Sequence, residues 1–326
     1  MSSSPVIYGF KLNGKGGAEA VSSQSSANLR TLIASHELTW FHIDTQHPEA
    51  ESLLLETLQL DSLVCEALLA DETRPRLVDN ENSALIILRG VNLNQGAQPE
   101  DMVSLRIWIT ATSIISGGRR PLKALRDIVA AFDNGQGPGD AGEWLTEICV
   151  ELYDNMQSAV TGLVEETDKL EEDVSQKQDE AVREAILDIR KRAMILRRYI
   201  TPQKDVVNYL RESQLSWLNP YCRRRLVEVT DWLTRYCEEL DSVRERAQVI
   251  KDELTAAMND RLNRNLYLLS IVAAIALPLG ILTGLFGINI GGMPGVDSPY
   301  AFAGFTVALI VLVVAELVYL RKKRWI

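Results

Sequence analysis

Two long apolar stretches lie near the C-terminus of a chain that is otherwise densely charged. Residues 266–286 carry no charge, and residues 300–320 carry one, Glu316. A helix needs about 20 apolar residues to cross the hydrocarbon core of a bilayer, so each stretch is predicted to be a membrane-spanning helix. The loop between them, residues 287–299, is rich in glycine and contains neither lysine nor arginine.

The residues before the first apolar stretch repeat apolar side chains at alternating spacings of three and four. This spacing predicts a long helix with one apolar seam, as in a coiled coil. Neither proline nor glycine interrupts residues 221–270, so we expect one continuous helix from about residue 223 to residue 286. Two earlier segments with similar spacing, within 148–174 and 182–200, predict an antiparallel hairpin because the turn between them is short. The seam positions are Leu226, Val229, Leu233, Tyr236, Leu240, Val243, Ala247, Ile250, Leu254 and Ala257.

The N-terminal part alternates short runs of β-branched and aromatic residues with helical stretches such as 50–69 and 120–132. This alternation predicts an α/β domain that ends at a glycine-rich linker, residues 134–139. The predicted fold class is an α+β domain with an α/β/α arrangement, followed by long coiled-coil-like helices and two C-terminal transmembrane helices. The predicted segments are the α/β domain (1–140), a hairpin of long helices (141–220), a stalk helix (221–265), a first span (266–286), a loop (287–299), a second span (300–320) and a basic tail (321–326).

The charges around the spans predict their orientation. Because basic residues collect on the cytoplasmic side of membrane spans, both termini are expected in the cytoplasm and residues 287–299 outside. The formal net charge of −10 argues against nucleic acid as a partner. The sequence contains no phosphate loop, dinucleotide fingerprint or Gly-x-Ser-x-Gly motif, so we expect no enzyme activity. The basic residues that predict the orientation of the spans are Arg261 and Arg264 before the first span and Arg321, Lys322, Lys323 and Arg324 after the second.

One stripe of the long helix lies away from the apolar seam. It is polar before the membrane and small or aliphatic within it. Two spans per chain cannot enclose a water-filled path, so a conducting protein must be a ring of copies in which this stripe lines the path; otherwise the spans are only an anchor. The alternative for the stripe is a solvated face that continues into a lipid-facing one. The stripe comprises Asn259, Asn263, Leu266, Leu269, Ala273, Leu277, Gly280 and Gly284.

Two polar residues of this region are candidates for chemistry. Glu316 is the only residue in the spans that is charged at neutral pH, which makes it a candidate proton site; alternatively it snorkels to the interface or pairs with Arg321. Asn289 follows the first span, and in a ring its amide oxygens would meet the water shell of a hydrated divalent cation. The alternative for Asn289 is a tight turn without a ligand role. The basic residues would form a positive collar that either gates the path or contacts anionic lipid headgroups.

The junction between the first span and the loop carries a motif. Gly287, Ile288 and Asn289 end the span and are followed by a Met-Pro pair. Together with the architecture of the whole chain, this junction resembles that of the CorA superfamily of divalent cation transporters. In that superfamily the first span ends in the hallmark sequence Gly-Met-Asn. The Gly-Ile-Asn variant, with Gly295 in place of the usual acidic residue after Met-Pro, is similar to the zinc-handling ZntB branch.

This resemblance implies a homopentamer with a cytoplasmic funnel in the bacterial inner membrane. It implies that Gly287 and Asn289 belong to the ion-entrance motif and that Asn289 forms the ring that meets the hydrated ion. The implied cargo is Zn²⁺, with Cd²⁺, Ni²⁺ and Co²⁺ as further substrates, and no cofactor is expected. The partners are other copies of the chain, the lipid bilayer and divalent cations. The alternatives are a magnesium or cobalt transporter of the same architecture and a membrane-anchored sensor or scaffold that conducts nothing.

Overall fold

The computed structural model describes residues 4–21, 29, 32, 37–71, 73–174, 180–288, 295 and 298–323. The chain divides into two compact units, Met1–Lys251 and Asp252–Ile326. The finer segment boundaries given above stay predictions.

The first unit contains a seven-stranded mixed sheet in the order β2-β1-β3-β7-β6-β5-β4. Strands β3 and β7 pair in parallel, and the other neighbours are antiparallel. The two parallel strands are almost entirely buried, as expected for strands that are covered on both faces. The strands are β1 (Val6–Leu12), β2 (Ala18–Ala20), β3 (Thr39–Asp44), β4 (Arg76–Asp79), β5 (Ser83–Gly90), β6 (Val103–Thr110) and β7 (Ser113–Gly118).

One face of the sheet is covered by two short helices. Helix α1, Ala50–Ser52, continues as a π-helical turn over Leu53–Thr57, and helix α2 spans Ser62–Leu69. The helical stretch expected over 50–69 is therefore interrupted. Gln59 has a positive φ of 52°, and the Asp61 side chain accepts a hydrogen bond from the backbone N–H of Leu63 at 2.8 Å, which caps a new helix.

The other face is covered by helix α3, Lys123–Asp133, and by the start of helix α4, Ala141–Val174. Aromatic side chains dominate this layer. The ring of Trp40 on β3 lies 5.2 Å from that of Trp144 on α4 and 6.1 Å from that of Phe132 on α3. The unit thus has the three-layered α/β/α arrangement that was predicted.

Three long helices complete the first unit: α4, α5 (Glu180–Glu212) and the first part of α6 (Pro220–Phe286). The predicted seam of α6 is buried, with every seam position from Leu226 to Ile250 at most 3% exposed. Arg246 on α6 donates to Asp168 and Glu171 on α4 at 2.6 Å each, and Arg197 on α5 pairs with Asp241 on α6 at 2.7 Å. Helices α4 and α5 of the same chain therefore cover the seam. The turn expected at 175–179 lies outside the described residues.

Candidate functional site

Two helices are long and apolar enough to cross a membrane: the C-terminal part of α6 and helix α7, Ala301–Lys322. Their most apolar windows are not buried inside the protein. The core helix of a water-soluble domain would be covered by its neighbours, so this exposure is what a pair of membrane spans requires.

Each span has one partly covered stripe. On α6 the stripe begins at Ile271, and on α7 it ends at Leu320. The rings of Phe286 and Phe305 are in contact, with centroids 4.7 Å apart. Positions at spacings of three and four share one face of a helix, so each span uses a single face for intrachain packing. The partly covered positions are Ile271, Ile275, Pro278, Leu279 and Leu282 on α6, and Phe305, Leu309, Leu312, Val313 and Glu316 on α7.

The predicted pore-lining stripe lies on the opposite side of α6. At 3.6 residues per turn, the direction of its positions differs by about 180° from that of the partly covered stripe. Within the span, Leu266, Leu269 and Leu277 are 52%, 65% and 68% exposed, and Ala273, Gly280 and Gly284 are exposed as well. Asn259 and Asn263 are exposed before the span. The structure therefore leaves this stripe uncovered by its own chain.

The packing within one chain does not require small residues on this stripe. A Cβ atom added at Gly280 or Gly284 would meet nothing within 4 Å. Glycine within a helix costs roughly 0.5–1 kcal/mol relative to alanine. The packing of the single chain therefore gives no reason for small residues on this stripe.

The stripe and its borders offer little direct ligation. The hydroxyl of Ser270 donates to the Leu266 carbonyl, and that of Thr283 donates to the Leu279 carbonyl, each at 2.8 Å. Among the described residues there is no group of three or more His, Cys, Asp or Glu side chains that could hold a metal ion. A cation moving along this face would therefore keep most of its water shell.

The outer end of the first span is a regular helix end. Helix α6 stops at Phe286, and the N–H of Gly287 donates to the Thr283 carbonyl at 2.9 Å. The Ile288 side chain is 46% exposed. Asn289 lies outside the described residues, so its place in the ion-entrance motif stays a prediction.

The residues of the predicted basic collar are all exposed where the structure describes them. They are Arg261, Arg264, Arg321, Lys322 and Lys323, whereas Arg324 lies outside the described residues.

Glu316 lies on the partly covered face of α7. Its Oε2 atom is shielded and has no hydrogen-bond partner in the part of the chain that the structure describes. A shielded polar atom without a hydrogen-bond partner is unusual, and an ionisable group within a span is a functional candidate.

Residues 35–322 match the model of a family described as CorA-like Mg²⁺ transporter protein. The chain belongs to this family. The match extends from the sheet domain to the end of α7, and it confirms the resemblance inferred from the loop and the spans.

Similar proteins cover nearly the full length of this chain. The zinc transport protein ZntB of Pectobacterium atrosepticum is 36% identical over 99% of this chain and 97% of its own length. The divalent cation transporter CmaX of Pseudomonas aeruginosa is 39% identical over 91% of this chain and 90% of its own. A solved structure of full-length CmaX superposes with a TM-score of 0.84 at 36% identity, covering 99% of both chains. These likenesses confirm the predicted fold class.

Sequence reasoning missed how the two spans face each other. The contact between Phe286 and Phe305 and the covered face of α7 depend on the relative rotation of the helices. Both spans are apolar all round, so their hydropathy gives little indication of that rotation. The one usable signal was Glu316, because an ionisable residue in a span is expected to avoid lipid.

Proposed function

We propose that this protein transports Zn²⁺ across the bacterial inner membrane as a homopentamer, with Cd²⁺, Ni²⁺ and Co²⁺ as further substrates. The observation that carries the proposal is the uncovered stripe of α6 opposite the face that contacts α7. The name of the Pectobacterium relative supports zinc as the cargo.

In the proposed mechanism, five copies bring their α6 stripes around one wet axis. The cation passes largely hydrated, because the stripe supplies few ligands that would strip its water. Asn289 forms a ring of amide oxygens at the outer mouth, and Gly280 and Gly284 leave width for the water shell. Rings of Leu266 and Leu277 close the path by dewetting when it narrows. Both termini lie in the cytoplasm.

The charged groups near the inner end are proposed to control the flow. The exposed arginines and lysines of the collar raise the barrier for a cation until metal or acidic residues offset their charge. Glu316 is the proposed proton site, supported by its shielded carboxylate oxygen.

A second candidate is transport of Mg²⁺ or Co²⁺ by the same architecture. It is favoured by the family description and by the absence of soft ligands along the described part of the stripe. A third possibility, a membrane-anchored scaffold, predicts that no ion moves at all.

Flux into liposomes that contain the purified full-length protein tests the proposal. We expect Zn²⁺ flux that Asn289→Ala abolishes while the oligomer still assembles. Gly280→Leu should also block flux, because its side chain would fill the path. The matched control is Gly304→Leu on α7: a Cβ atom there also meets nothing within 4 Å, but the residue lies outside the proposed path.

Three outcomes contradict the proposal. Normal flux in Asn289→Ala removes the role of the amide ring. Equal effects of the two glycine variants remove the role of the α6 stripe. If Mg²⁺ moves while Zn²⁺ neither moves nor competes, the second candidate is correct.

A further inference from the structure

A cleft in the sheet domain, remote in sequence from the spans, gathers four arginines. Its volume is about 420 Å³, and its lining includes Arg89, Arg106, Arg119 and Arg120. The strand register explains the arrangement. Arg89 on β5 pairs with Ser104 on β6, and paired residues share a face of the sheet, as do residues two apart on one strand. Arg89 and Arg106 therefore project from the same face.

Arg106 is the unusual member of this group. It is only 1% exposed, although it interrupts an apolar strand. Its Nη2 donates to the Ala70 carbonyl at 2.8 Å, whereas Nε and Nη1 have no hydrogen-bond partner among the described residues. Burial, together with the nearby charges of Arg119 and Arg89, lowers the pKa of Arg106 to about 10, against a small opposing effect of Asp71.

Among the described residues, three carboxylates also line the cleft, and one of them pairs with a cleft arginine. Asp71 pairs with Arg119, and Glu100 lies 3.5 Å from Nε of Arg192. Asp101 lines the cleft but is exposed. Within the described part of the chain, no carboxylate forms a hydrogen bond with the guanidinium of Arg106, although the charge of Asp71 is near enough to act on it.

Arg89 is held in place by neutral groups. Its Nη1 donates to the Met102 carbonyl at 3.1 Å and its Nη2 to the Thr73 carbonyl at 2.7 Å. Its guanidinium lies 4.3 Å from the ring centroid of Tyr199 on α5. These contacts fix the orientation of the Arg89 side chain at the wall of the cleft.

We propose that this cleft binds a phosphate-type oxyanion. A buried guanidinium with two N–H groups that lack partners among the described residues is costly, and proteins normally pair or solvate such groups. Guanidinium groups match the oxygen geometry of phosphate and can bind it with two parallel hydrogen bonds. The bound anion would contact residues from β5, β6 and the segment after β7, next to Tyr199 of α5. It would thereby tie α5 to the sheet.

Inorganic phosphate and a phosphate ester share this chemistry, and titration separates them. Full-length protein in detergent is titrated calorimetrically with inorganic phosphate, AMP or chloride at constant ionic strength. We expect saturable binding of a phosphate group and a melting temperature that rises with its concentration. Tighter binding of AMP than of inorganic phosphate would identify an ester as the ligand, and the reverse order would identify the free ion.

Arg106→Met is the decisive variant, because methionine fills a similar space without a charge. We expect at least about a tenfold loss of phosphate affinity, as for the loss of one charge-assisted hydrogen bond. Without phosphate, its melting temperature should equal or exceed that of the parent, since the buried charge is gone. Arg126→Gln, which removes an exposed arginine on α3, is the control for charge and should bind normally.

Should Arg106→Met fail to fold, Arg119→Gln serves as the second variant and should weaken binding by about tenfold. The proposal is overturned if the parent shows no saturable phosphate binding, if chloride binds as tightly as phosphate, or if a folded arginine variant of the cleft keeps its full phosphate response.

Discussion

Acidification should weaken the sheet domain through one buried histidine, His42 on β3. Its side chain is 3% exposed, and its Nδ1 lies 2.9 Å from the hydroxyl oxygen of Ser116 on β7. That oxygen also accepts a hydrogen bond from Nε1 of Trp40 at 2.8 Å. Burial lowers the pKa of His42 from its ordinary value of 6.5 to about 4, against a smaller opposing effect of Asp44.

The sign and size of the effect follow from this difference in pKa. Between pH 6.5 and about 4 the unfolded chain binds the proton more readily than the folded one, so stability falls as the pH falls through that range. The stabilisation is fully present above about pH 6.5. The whole difference corresponds to about 3 kcal/mol, of which about 2 kcal/mol should be lost between pH 7.5 and pH 5.

Urea unfolding of the full-length protein in detergent, followed by tryptophan fluorescence, measures this loss. His42→Asn keeps a polar atom near Ser116 but cannot titrate. Over the same pH range, its loss of stability should therefore be smaller than that of the parent by about 2 kcal/mol. His47→Asn, outside the core, is the control and should behave like the parent. Burial raises the pKa of Glu151, so this residue makes stability rise as the pH falls. Because Glu151 is present in the parent and in both variants, its effect cancels in the comparison. An identical pH dependence in the parent and His42→Asn would refute the reasoning.

Two further predictions concern the spans and the helical bundle. Glu316→Gln should remove any dependence of Zn²⁺ flux on an imposed pH gradient, whereas the flux measured without a gradient should not change. A gradient effect that survives the substitution would exclude Glu316 as the proton site. Leu240→Ala, at a fully buried seam position, should lower the free energy of unfolding by about 2–5 kcal/mol in urea titrations. The exposed Leu187→Ala should change it by less than about 0.5 kcal/mol, and equal losses in the two variants would contradict the packing of the seam.

The pH dependence of folding also affects how transport is measured. A pH gradient that places the sheet domain below about pH 6.5 would change both stability and driving force. Gradients kept above that value on the side of the sheet domain separate the two effects. This matters most for the Glu316 test, where the pH response itself is the readout.

Local patterns in the sequence were sufficient for the long elements. The alternating spacing from Leu226 to Ile250 indicated a helix with one buried seam, and these residues are buried. The spans could be recognised from length and lack of charge alone, and the loop motif indicated the family. These properties depend on side chains that are close together in sequence, so they can be predicted from the amino-acid sequence alone.

Long-range packing decided the remaining features. The break before α2 depends on the positive φ of Gln59, and the chain around it contains no glycine that would have indicated it. Arg106 lines a cleft and donates to the Ala70 carbonyl because strands and loops that are distant in sequence meet there. Likewise, the covered face of α7 that includes Glu316 is set by the rotation of two helices that are apolar on all sides. Such contacts depend on how elements meet in space, and hydropathy along one element carries little information about them.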